Sequence, residues 1–441
     1  MQINDFLSLN PWWDNKDIQK KYQVKTKREQ VSLVLNKLKH KNKITALIGP
    51  RQVGKTTVLM HTIEKLIQSN TPPQNIFYIS FDRSNWQKIT EQDLINLIQE
   101  LTETRLAEIK KTFYLYLDEI HKLQNWENKL KYLLEAYQNL KIIISGSSSL
   151  NIEIGAGEGL VGRIEIIRLF PLTFREYLNW QDPGLIKAIK FKQDQIQINF
   201  REYLKKGGYP AVFFQKDQSE IYDLLLGYKS LSIMRDIVRL LKIGDPALLE
   251  DLLEILSSLT AERINYSNLG RLVGEVNVHT IKKYLNLLES AFFIKRAQVW
   301  TKKGLKPYRR ERKIFFLDNG LRNALAQENF QDSLIWSKLA ENAAVANYYA
   351  DYNSQHPFQK KLFYWLDNGG EVDLITHQGE PVEIKYKDKL EIDDFKSIRK
   401  FLEIAKTKQG IILTKNLQAS KTFPEGRVKI IPLWKWLLQT I

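Results

Sequence analysis

The segment GPRQVGKTT, residues 49–57, constrains the fold of this chain more than any other stretch. It fits the pattern G-x-x-x-x-G-K-[ST] at Gly49, Gly54, Lys55 and Thr56. A β-type run, KITALIG, ends at this segment, and a stretch with helical spacing, TTVLMHTIEKLIQ, follows it. A glycine-rich turn between a strand and a helix directs backbone N–H groups at an anion, and the helix N-terminus adds a favourable dipole. The segment therefore predicts a phosphate-binding loop.

The chain beyond this loop alternates strand candidates with helical patterns. The strand candidates are IFYISFD, FYLYLDEI, KIIISGS and RIEIIRL, which lie between residues 76 and 169. Continuous apolar strands that alternate with helices are typical of a buried parallel sheet. We therefore expect an α/β fold with a parallel-sheet core over residues 41–180.

The phosphate-binding loop and the strand FYLYLDEI together predict a site for ATP and Mg²⁺. Lys55 would contact the β- and γ-phosphates, while Thr56 and Asp118 would hold Mg²⁺. Glu119 would polarise the water that attacks the γ-phosphate. The predicted nucleotide contacts are the loop residues Gly49, Pro50, Arg51, Gln52, Val53, Gly54, Lys55, Thr56 and Thr57.

The strand KIIISGS ends in small polar residues beside the expected position of the γ-phosphate. Ser145 or Ser147 is therefore a candidate sensor of that phosphate, and the sequence pattern does not distinguish between them. A serine-rich turn without a role in the site is the alternative.

Several segments together resemble a prokaryotic family of AAA+ ATPases whose C-terminal region, of unknown function, has a restriction-endonuclease-like fold. They are GPRQVGKTT, LDEIHKL, SGSSS, GLVGR, LFPLTFREYL and GGYPAVF, so the resemblance spans nearly the whole chain. It implies that Arg163, in GLVGR, is an arginine finger that reaches the γ-phosphate of a neighbouring subunit. Such a finger requires a homo-oligomer. The alternatives are a solvent-exposed Arg163 and one that pairs within its own subunit.

Pattern and resemblance together divide the chain into consecutive parts. We expect an N-terminal lead-in over residues 1–40, an AAA+ P-loop core over 41–180 and a helical lid over 181–245. A winged-helix domain over residues 246–320 and a nuclease-like α/β domain over 321–441 would follow.

The charge balance favours a polyanionic partner. The chain has 66 Lys and Arg against 50 Asp and Glu, a formal net charge of +16. Anionic membrane surfaces attract the same charge, but no apolar run approaches the length of a membrane span. The N-terminal residues do not resemble a signal peptide, and the absence of cysteine is consistent with a cytoplasmic protein.

A helix-turn-helix is predicted by YSNLGRLVGEVNVHTIKKYLNLLESA, and two strand candidates, FFIKRAQVW and KIFFLD, follow it. Residues 301–313, which we call the basic segment, join those strands. The candidate phosphate contacts in the basic segment are Lys302, Lys303, Lys306, Arg309, Arg310, Arg312 and Lys313. A winged helix would present such a segment to a nucleic-acid backbone, with DNA as the expected partner. Winged helices also bind proteins, so a protein partner is the alternative.

The segment EVDLITHQGEPVEIKYK, residues 371–387, predicts two short strands joined by a turn. Because strand side chains alternate, Asp373 would lie near Glu383 and Lys385 if the two strands pair in a suitable register. Two such carboxylates offer oxygen ligands to Mg²⁺ or Mn²⁺, and a bound ion would activate water for phosphodiester cleavage. A solvated hairpin with opposite charges across its strands is the alternative.

The same segment resembles the PD-(D/E)XK nuclease superfamily. Asp373 matches the first strand acid, and Glu383 and Lys385 match the E-x-K pair. Glu341, in LAENAAVANYY, matches a helix glutamate that often precedes them, so the resemblance implies Glu341, Asp373 and Glu383 as metal ligands. Nuclease-like folds also persist as binding modules. We therefore expect an ATPase that acts on nucleic acid and whose C-terminal domain performs metal-dependent cleavage. The alternative is an ATP-switched binding or signalling protein whose C-terminal domain is non-catalytic.

Overall fold

Two β-sheets organise the structure, one in each of its two units, Met1–Leu169 and Phe170–Ile441. The structure is a computed structural model. It describes residues 3–15, 17–24, 26–103, 105, 108, 111–147, 160, 162–238, 245–302 and 311–439.

The first unit contains a five-stranded sheet in which every pairing is parallel. Its strands are β1 (Ile44–Ile48), β2 (Ile76–Ser80), β3 (Phe113–Asp118), β4 (Leu140–Gly146) and β5 (Ile164–Arg168). Their order in the sheet is β2-β3-β4-β1-β5, so β4 separates the strand that precedes the phosphate-binding loop from the strand that ends in acids. All five residues of β1 are buried, as a continuous apolar run requires. The predicted parallel α/β core is confirmed.

Helices cover this sheet and extend the unit to the N-terminal residues. The α-helices are Ile3–Leu9, Trp12–Asn15, Gln30–Lys37, Lys55–Gln68, Glu91–Thr102 and Trp126–Ala136, and the 3₁₀ turns are Lys20–Tyr22, Pro73–Asn75, Ser84–Trp86 and Ile120–Lys122. Trp12 is fully buried, and its Nε1 donates a hydrogen bond to Ile76 O at 3.1 Å. The predicted lead-in over residues 1–40 therefore packs into the same core as the sheet.

The second unit contains a nine-stranded sheet of mixed direction. Its strands are β6 (Arg263–Ile264), β7 (Ile294–Val299), β8 (Arg312–Phe316), β9 (Leu362–Asp367), β10 (Gly370–Ile375), β11 (Pro381–Lys385), β12 (Gln409–Thr414), β13 (Ala419–Phe423) and β14 (Gly426–Pro432). Their order is β13-β14-β12-β11-β10-β9-β7-β8-β6. The parallel pairing of β7 with β9 joins the predicted winged-helix strands to the predicted nuclease-like strands. A single sheet therefore crosses the boundary that we expected near residue 320.

Helices of the second unit pack on this sheet and form a second helical core. They are Phe174–Gln181, Pro183–Lys187, Gln193–Lys206, Pro210–Phe213, Gln218–Leu231, Pro246–Ser258, Tyr266–Leu272, Val278–Ser290, Asn319–Ala326, Ser333–Gln355, Lys396–Ala405 and Leu433–Trp436, with a π-helical turn Ser232–Val238 and a 3₁₀ turn Ile392–Phe395. The helix Ser333–Gln355 is buried along most of its length, which explains its apolar, alanine-rich sequence. Its Glu341 side chain faces the sheet, where it accepts a hydrogen bond from Lys313 of β8.

Asn342 ties this long helix to the end of β8. Its side chain is fully buried, donates a hydrogen bond to Phe316 O at 2.9 Å and accepts one from Phe316 N at 2.8 Å. It also donates to Asn319 Oδ1 at 2.6 Å. These bonds fix the turn of helix that carries the adjacent Glu341.

Replacing Asn342 with alanine is expected to lower the melting temperature of the protein. The change leaves the buried Phe316 N–H and C=O without a partner, and each unsatisfied group costs about 1–3 kcal/mol of unfolding free energy. Asn268→Ala, at an exposed position of the helix Tyr266–Leu272, is the matched control and should melt close to the wild type. Differential scanning calorimetry of both variants checks this, and equal melting temperatures would contradict it.

Candidate functional site

The backbone of the phosphate-binding loop has the conformation that its glycines permit. Gly54 precedes the helix Lys55–Gln68 with φ of 96°, in the left-handed region that favours glycine. A Cβ atom on Gly49 would lie 2.1 Å from Leu169 O, so the close approach of that strand end excludes a side chain. The Lys55 side chain is buried over the loop, where Nζ donates to Gly49 O at 3.1 Å and to Pro50 O at 2.7 Å. The lysine is therefore already directed at the loop that would hold the phosphates.

Asp118, the last residue of β3, is surrounded by hydroxyl groups. Thr56 Oγ1 donates to Asp118 Oδ2 at 2.7 Å, and the Tyr78 hydroxyl donates to the same oxygen at 2.8 Å. The Ser145 hydroxyl donates to Asp118 Oδ1. The contact between Thr56 and Asp118 places a hydroxyl and a carboxylate together, and Mg²⁺ is often held by one or two carboxylates with substrate phosphates. The two residues therefore fit the Mg²⁺ of a bound nucleotide.

Glu119 follows Asp118 with a left-handed backbone, φ 55°. Its Oε2 is buried, accepts no hydrogen bond from the described residues and lies 3.5 Å from His121 Nε2. Burial raises the pKa of Glu119 and the charge of Asp118 adds to that effect, whereas Lys55 and Arg51 oppose it. A carboxylate oxygen without a donor is free to accept a proton from water.

The two candidate sensor serines differ in their contacts. Besides its bond to Asp118, the Ser145 hydroxyl accepts a hydrogen bond from Glu119 N at 3.1 Å, so it braces the two acids. Ser147 is 2 % exposed, and its hydroxyl has no hydrogen-bond partner among the described residues. The Ser145 hydroxyl is thus already bonded within the site, and which of the two serines senses a phosphate stays a prediction.

Arg163 pairs within its own chain. Its Nη1 lies 2.6 Å from Glu135 Oε1, and more than a third of its side chain is exposed. This arrangement corresponds to the alternative in which Arg163 pairs within its own subunit. A partly exposed ion pair contributes about 0–1 kcal/mol, so the pair would not prevent Arg163 from binding another anion. Its role as an arginine finger stays a prediction.

In the second unit, the acids of β10 and β11 lie side by side. Asp373 Oδ2 accepts a hydrogen bond from Ile384 N at 2.8 Å, which brings it next to Glu383. Glu383 is 3 % exposed, and its Oε1 lies 2.7 Å from Lys385 Nζ. Burial and then the nearby Asp373 raise the pKa of Glu383. Asp373, Glu383 and Lys385 thus lie together in the structure.

Lys313 does not lie in an exposed basic segment as we expected. It is the second residue of β8 and only 2 % exposed. Its Nζ lies 2.7 Å from Glu341 Oε1, 2.6 Å from Glu371 Oε1 and 3.0 Å from Asp373 Oδ1. Lys313 shares one face of β8 with Phe315, and Ile314 and Phe316 on the other face are buried as well, so this strand has no exposed face from residue 313 to residue 316. Lys313 is therefore unavailable to a nucleic-acid backbone.

We call Glu341, Glu371, Asp373 and Glu383 the carboxylate cluster. Burial, with the charge of Asp373, raises the pKa of Glu341 to about 8, and Lys313 opposes that shift. Over the described part of the chain, no group of three or more His, Cys, Asp or Glu side chains has an arrangement that could hold a metal ion. The Lys313 ammonium lies where the acids converge, so the predicted ligands Glu341, Asp373 and Glu383 do not fit Mg²⁺ or Mn²⁺ in this arrangement.

The rest of the basic segment is only partly described. Lys302 is exposed, and its Nζ donates to Ile404 O at 3.0 Å. Arg312 is partly buried and lines a cavity of about 540 Å³ beside the helix Val278–Ser290. Four further candidates lie outside the described residues: Lys303, Lys306, Arg309 and Arg310.

The sequence analysis did not single out two exposed lysines on the helix-turn-helix. Lys282 and Lys283 lie on the helix Val278–Ser290, whose opposite face buries Ile281, Tyr284 and Leu285. The side chain of Asn277 caps this helix by accepting a hydrogen bond from Thr280 N at 2.9 Å. These lysines could have been identified from the apolar spacing in VHTIKKYLNLL, which places them on the side of the helix that faces solvent.

Comparison with known families divides the chain into three matched regions. Residues 41–178 match the model of an AAA domain. Residues 197–332 match a domain of unknown function, DUF8612, and residues 337–436 match another, DUF4143. No helix in the described ranges is long and apolar enough to cross a membrane.

Relatives that match two thirds of the chain or more include bacterial and archaeal proteins. An uncharacterized protein of Haemophilus influenzae is 28 % identical over 300 residues, which cover 67 % of this chain and 72 % of that protein. Two uncharacterized proteins of Methanocaldococcus jannaschii are 24 % and 26 % identical, over 96 % and 100 % of this chain and 93 % and 95 % of theirs.

Two solved structures have partial similarity to this chain. The Walker-type ATPase of Pyrococcus abyssi has a TM-score of 0.45 at 14 % identity, covering 71 % of this chain and 99 % of that one. The ORC2 protein of Aeropyrum pernix in its ADP form has a TM-score of 0.35 at 13 % identity, covering 67 % and 92 %. The family match and the parallel sheet agree that residues 41–178 form a P-loop ATPase domain of the AAA class, a class that uses ATP and typically Mg²⁺.

Proposed function

We propose that this chain uses ATP hydrolysis to act on nucleic acid, with DNA as the expected substrate. The observation that carries the enzymatic part is the assembly of Lys55, Thr56, Asp118 and Glu119 around one loop. The exposed lysines of the helix-turn-helix and the net charge of +16 support the nucleic-acid part.

Each residue of the nucleotide site has a distinct role in the proposed hydrolysis. The loop N–H groups and Lys55 bind the phosphates, and Thr56 with Asp118 would hold Mg²⁺, which supplies positive charge to the phosphates when bound. Glu119 Oε2 accepts the proton of the attacking water. The Ser147 hydroxyl, which has no partner among the described side chains, contacts the γ-phosphate.

The proposed nucleic-acid surface is the helix Val278–Ser290. It follows the helix Tyr266–Leu272 after a short turn and precedes the antiparallel strands β7 and β8, the order of elements in a winged helix. Its solvent side carries His279, Lys282 and Lys283. Lysines at such positions bind phosphates without selecting a sequence. We therefore expect affinity that depends strongly on salt and weakly on sequence.

Endonuclease activity is less well supported than a non-catalytic role for the C-terminal sheet. The Lys313 ammonium contacts Glu341, Glu371 and Asp373, where metal-dependent cleavage would need a divalent ion. We therefore favour the alternative in which ATP switches nucleic-acid binding and the nuclease-like sheet has no metal-dependent chemistry.

Glu119→Gln is expected to retain ATP binding but to lower the rate of hydrolysis by about 10²-fold or more, because the variant cannot accept the proton of water. Lys55→Ala should lose both nucleotide affinity and hydrolysis. Phosphate release and binding of a fluorescent ATP analogue measure the two effects separately. If Glu119→Gln hydrolysed ATP at the wild-type rate, another group would have to be the base.

Replacing Lys282 and Lys283 together with alanine is expected to weaken binding of duplex DNA. The plot of log affinity against log salt should become shallower by about two, since each lost phosphate contact removes about 0.9 from the slope. Fluorescence anisotropy from low to moderate salt gives both quantities.

The matched control removes the same charge elsewhere in the second unit. Lys187 and Lys190 are both exposed and lie at the end of the helix Pro183–Lys187 and just beyond it. Their double alanine variant should keep the wild-type salt slope. Equal losses in both double variants would mean that net charge, and not this helix, accounts for DNA binding. Salt-insensitive binding of a protein from the same cells would instead favour the signalling alternative.

A further inference from the structure

The carboxylate cluster concentrates negative charge from three elements of the second unit. Glu341 comes from the helix Ser333–Gln355, Glu371 and Asp373 from β10, and Glu383 from β11. Three of the four acids are largely or fully buried, and Glu371 keeps 29 % of its side chain exposed. Buried carboxylates repel each other strongly, so this cluster requires a nearby positive charge.

Lys313 supplies the central positive charge. Its Nζ contacts three of the acids at 2.6–3.0 Å. Among the acids of the cluster, Lys385 Nζ pairs with Glu383 at 2.7 Å and Arg263 Nε with Glu371 at 3.3 Å, and Arg263 also pairs with Glu311, outside the cluster. Lys313 Nζ donates hydrogen bonds to Glu341 Oε1 and Asp373 Oδ1 and forms a close ion pair with Glu371 Oε1. One ammonium group therefore contacts acids of both the long helix and β10.

The backbone of β8 holds Lys313 in this position. Lys313 is paired with Arg263 of β6 and with Ala297 of β7, so its Cα is fixed by strands on both sides. Its Nζ also lies 5.9 Å from the ring centre of Phe315 and 6.0 Å from that of Tyr364. An interior strand position with aromatic neighbours distinguishes this lysine from a surface lysine that folds onto acids by chance.

The oxygen atoms around Lys313 are those that a divalent ion would need. Asp373 Oδ2 is committed to Ile384 N, so its Oδ1, which contacts Lys313, is the oxygen left for a cation. Glu383 Oε2 is buried and has no hydrogen-bond partner among the described residues. Without the ammonium, oxygens of Glu341, Glu371 and Asp373 would lose their contact and join Glu383 Oε2 as a set of hard ligands.

We propose that Lys313 is a built-in cation that takes the place of a divalent metal ion in the carboxylate cluster, and that its removal converts the cluster into a site for Mg²⁺ or Mn²⁺. The native cluster is then independent of metal, and its role is to hold β8, β10, β11 and the helix Ser333–Gln355 together. This inference stands on the second unit alone and does not depend on the proposed action on nucleic acid.

The test compares Mn²⁺ binding and thermal stability in nucleotide-free full-length protein. The variants are Asp373→Asn, Lys313→Ala, Lys313→Met, which nearly keeps the length of the side chain, and Lys313→Ala combined with Asp373→Asn. Bound Mn²⁺ is counted by electron paramagnetic resonance, and melting curves are recorded in EDTA and in Mn²⁺. Any ion held near Thr56 and Asp118 is common to all variants and cancels in the comparison.

The wild type should bind no Mn²⁺ that depends on Asp373, and Mn²⁺ should shift its melting temperature by no more than it shifts that of Asp373→Asn. Lys313→Ala should melt several degrees lower in EDTA, gain about one bound Mn²⁺ per chain and recover stability in its presence. Adding Asp373→Asn should abolish the gain. Lys313→Met should also melt at a lower temperature in EDTA and gain bound Mn²⁺, but with lower Mn²⁺ affinity than Lys313→Ala because the methionine side chain fills part of the space.

Lys229→Ala is the control for loss of a buried lysine as such. Lys229 is 7 % exposed and its Nζ lies 2.8 Å from Glu250 Oε2, a single carboxylate, so this variant should be destabilised without gaining Mn²⁺. The proposal is wrong if the wild type binds Mn²⁺ in a manner that Asp373→Asn abolishes, or if a folded Lys313 variant gains no ion. If every Lys313 variant fails to fold, the comparison of the wild type with Asp373→Asn still tests whether the native cluster excludes a metal ion.

Discussion

Buried carboxylates need compensation from a neighbouring element, and this requirement governs both units of the structure. In the first unit, Asp118 receives hydrogen bonds from Thr56, Tyr78 and Ser145, which belong to a helix and to the strands on either side of β3. In the second, the carboxylate cluster is held by Lys313 from β8. Neutral hydroxyls leave a site that a metal ion and phosphates can enter, whereas an ammonium group satisfies the acids within the chain. Buried carboxylates are therefore stabilised by hydroxyl groups in the first unit, which leaves room for a ligand, and by an internal ammonium group in the second, which does not.

The parts of the fold that the sequence predicted depend on local pattern. The phosphate-binding loop follows from glycine spacing between a strand and a helix, and the parallel sheet follows from continuous apolar runs separated by helices. Asp118 could be assigned to the nucleotide site because carboxyl ends of parallel strands meet at one edge of a sheet. Within that site, the sequence could not distinguish Ser145 from Ser147, because two serines separated by one glycine have the same local pattern. Their different hydrogen bonds are visible only in the structure.

Pairings between distant segments could not be predicted. The sequence places Lys313 in a run of basic residues, and only the pairing of β8 with β6 and β7 turns its side chain into the acids. Likewise, nothing local to β7 indicates that it pairs with β9, more than sixty residues later, so a sheet that continues past residue 320 could not be foreseen. Trp12 illustrates the same limit, since an aromatic residue near the N-terminus gives no sign of the strand end that it contacts.

The continuous sheet of the second unit has a mechanical consequence for the proposed function. The helix Val278–Ser290 leads directly into β7, and β7 pairs with both β8 and β9. Arg296 in β7 also contacts Glu289 of that helix at 2.5 Å. Burial raises the pKa of Glu289, but the adjacent cations Lys295 and Arg296 outweigh it and hold that pKa below its usual value. The proposed nucleic-acid helix is therefore attached to the strands that surround Lys313 by backbone pairing and by a buried ion pair. Because Lys313 joins β8 to β10 and to the long helix, a force applied at the helix-turn-helix would be carried by the whole sheet. A cluster that is neutralised from within the chain keeps this connection intact whether or not metal ions are present, which suits a rigid support better than a catalytic centre.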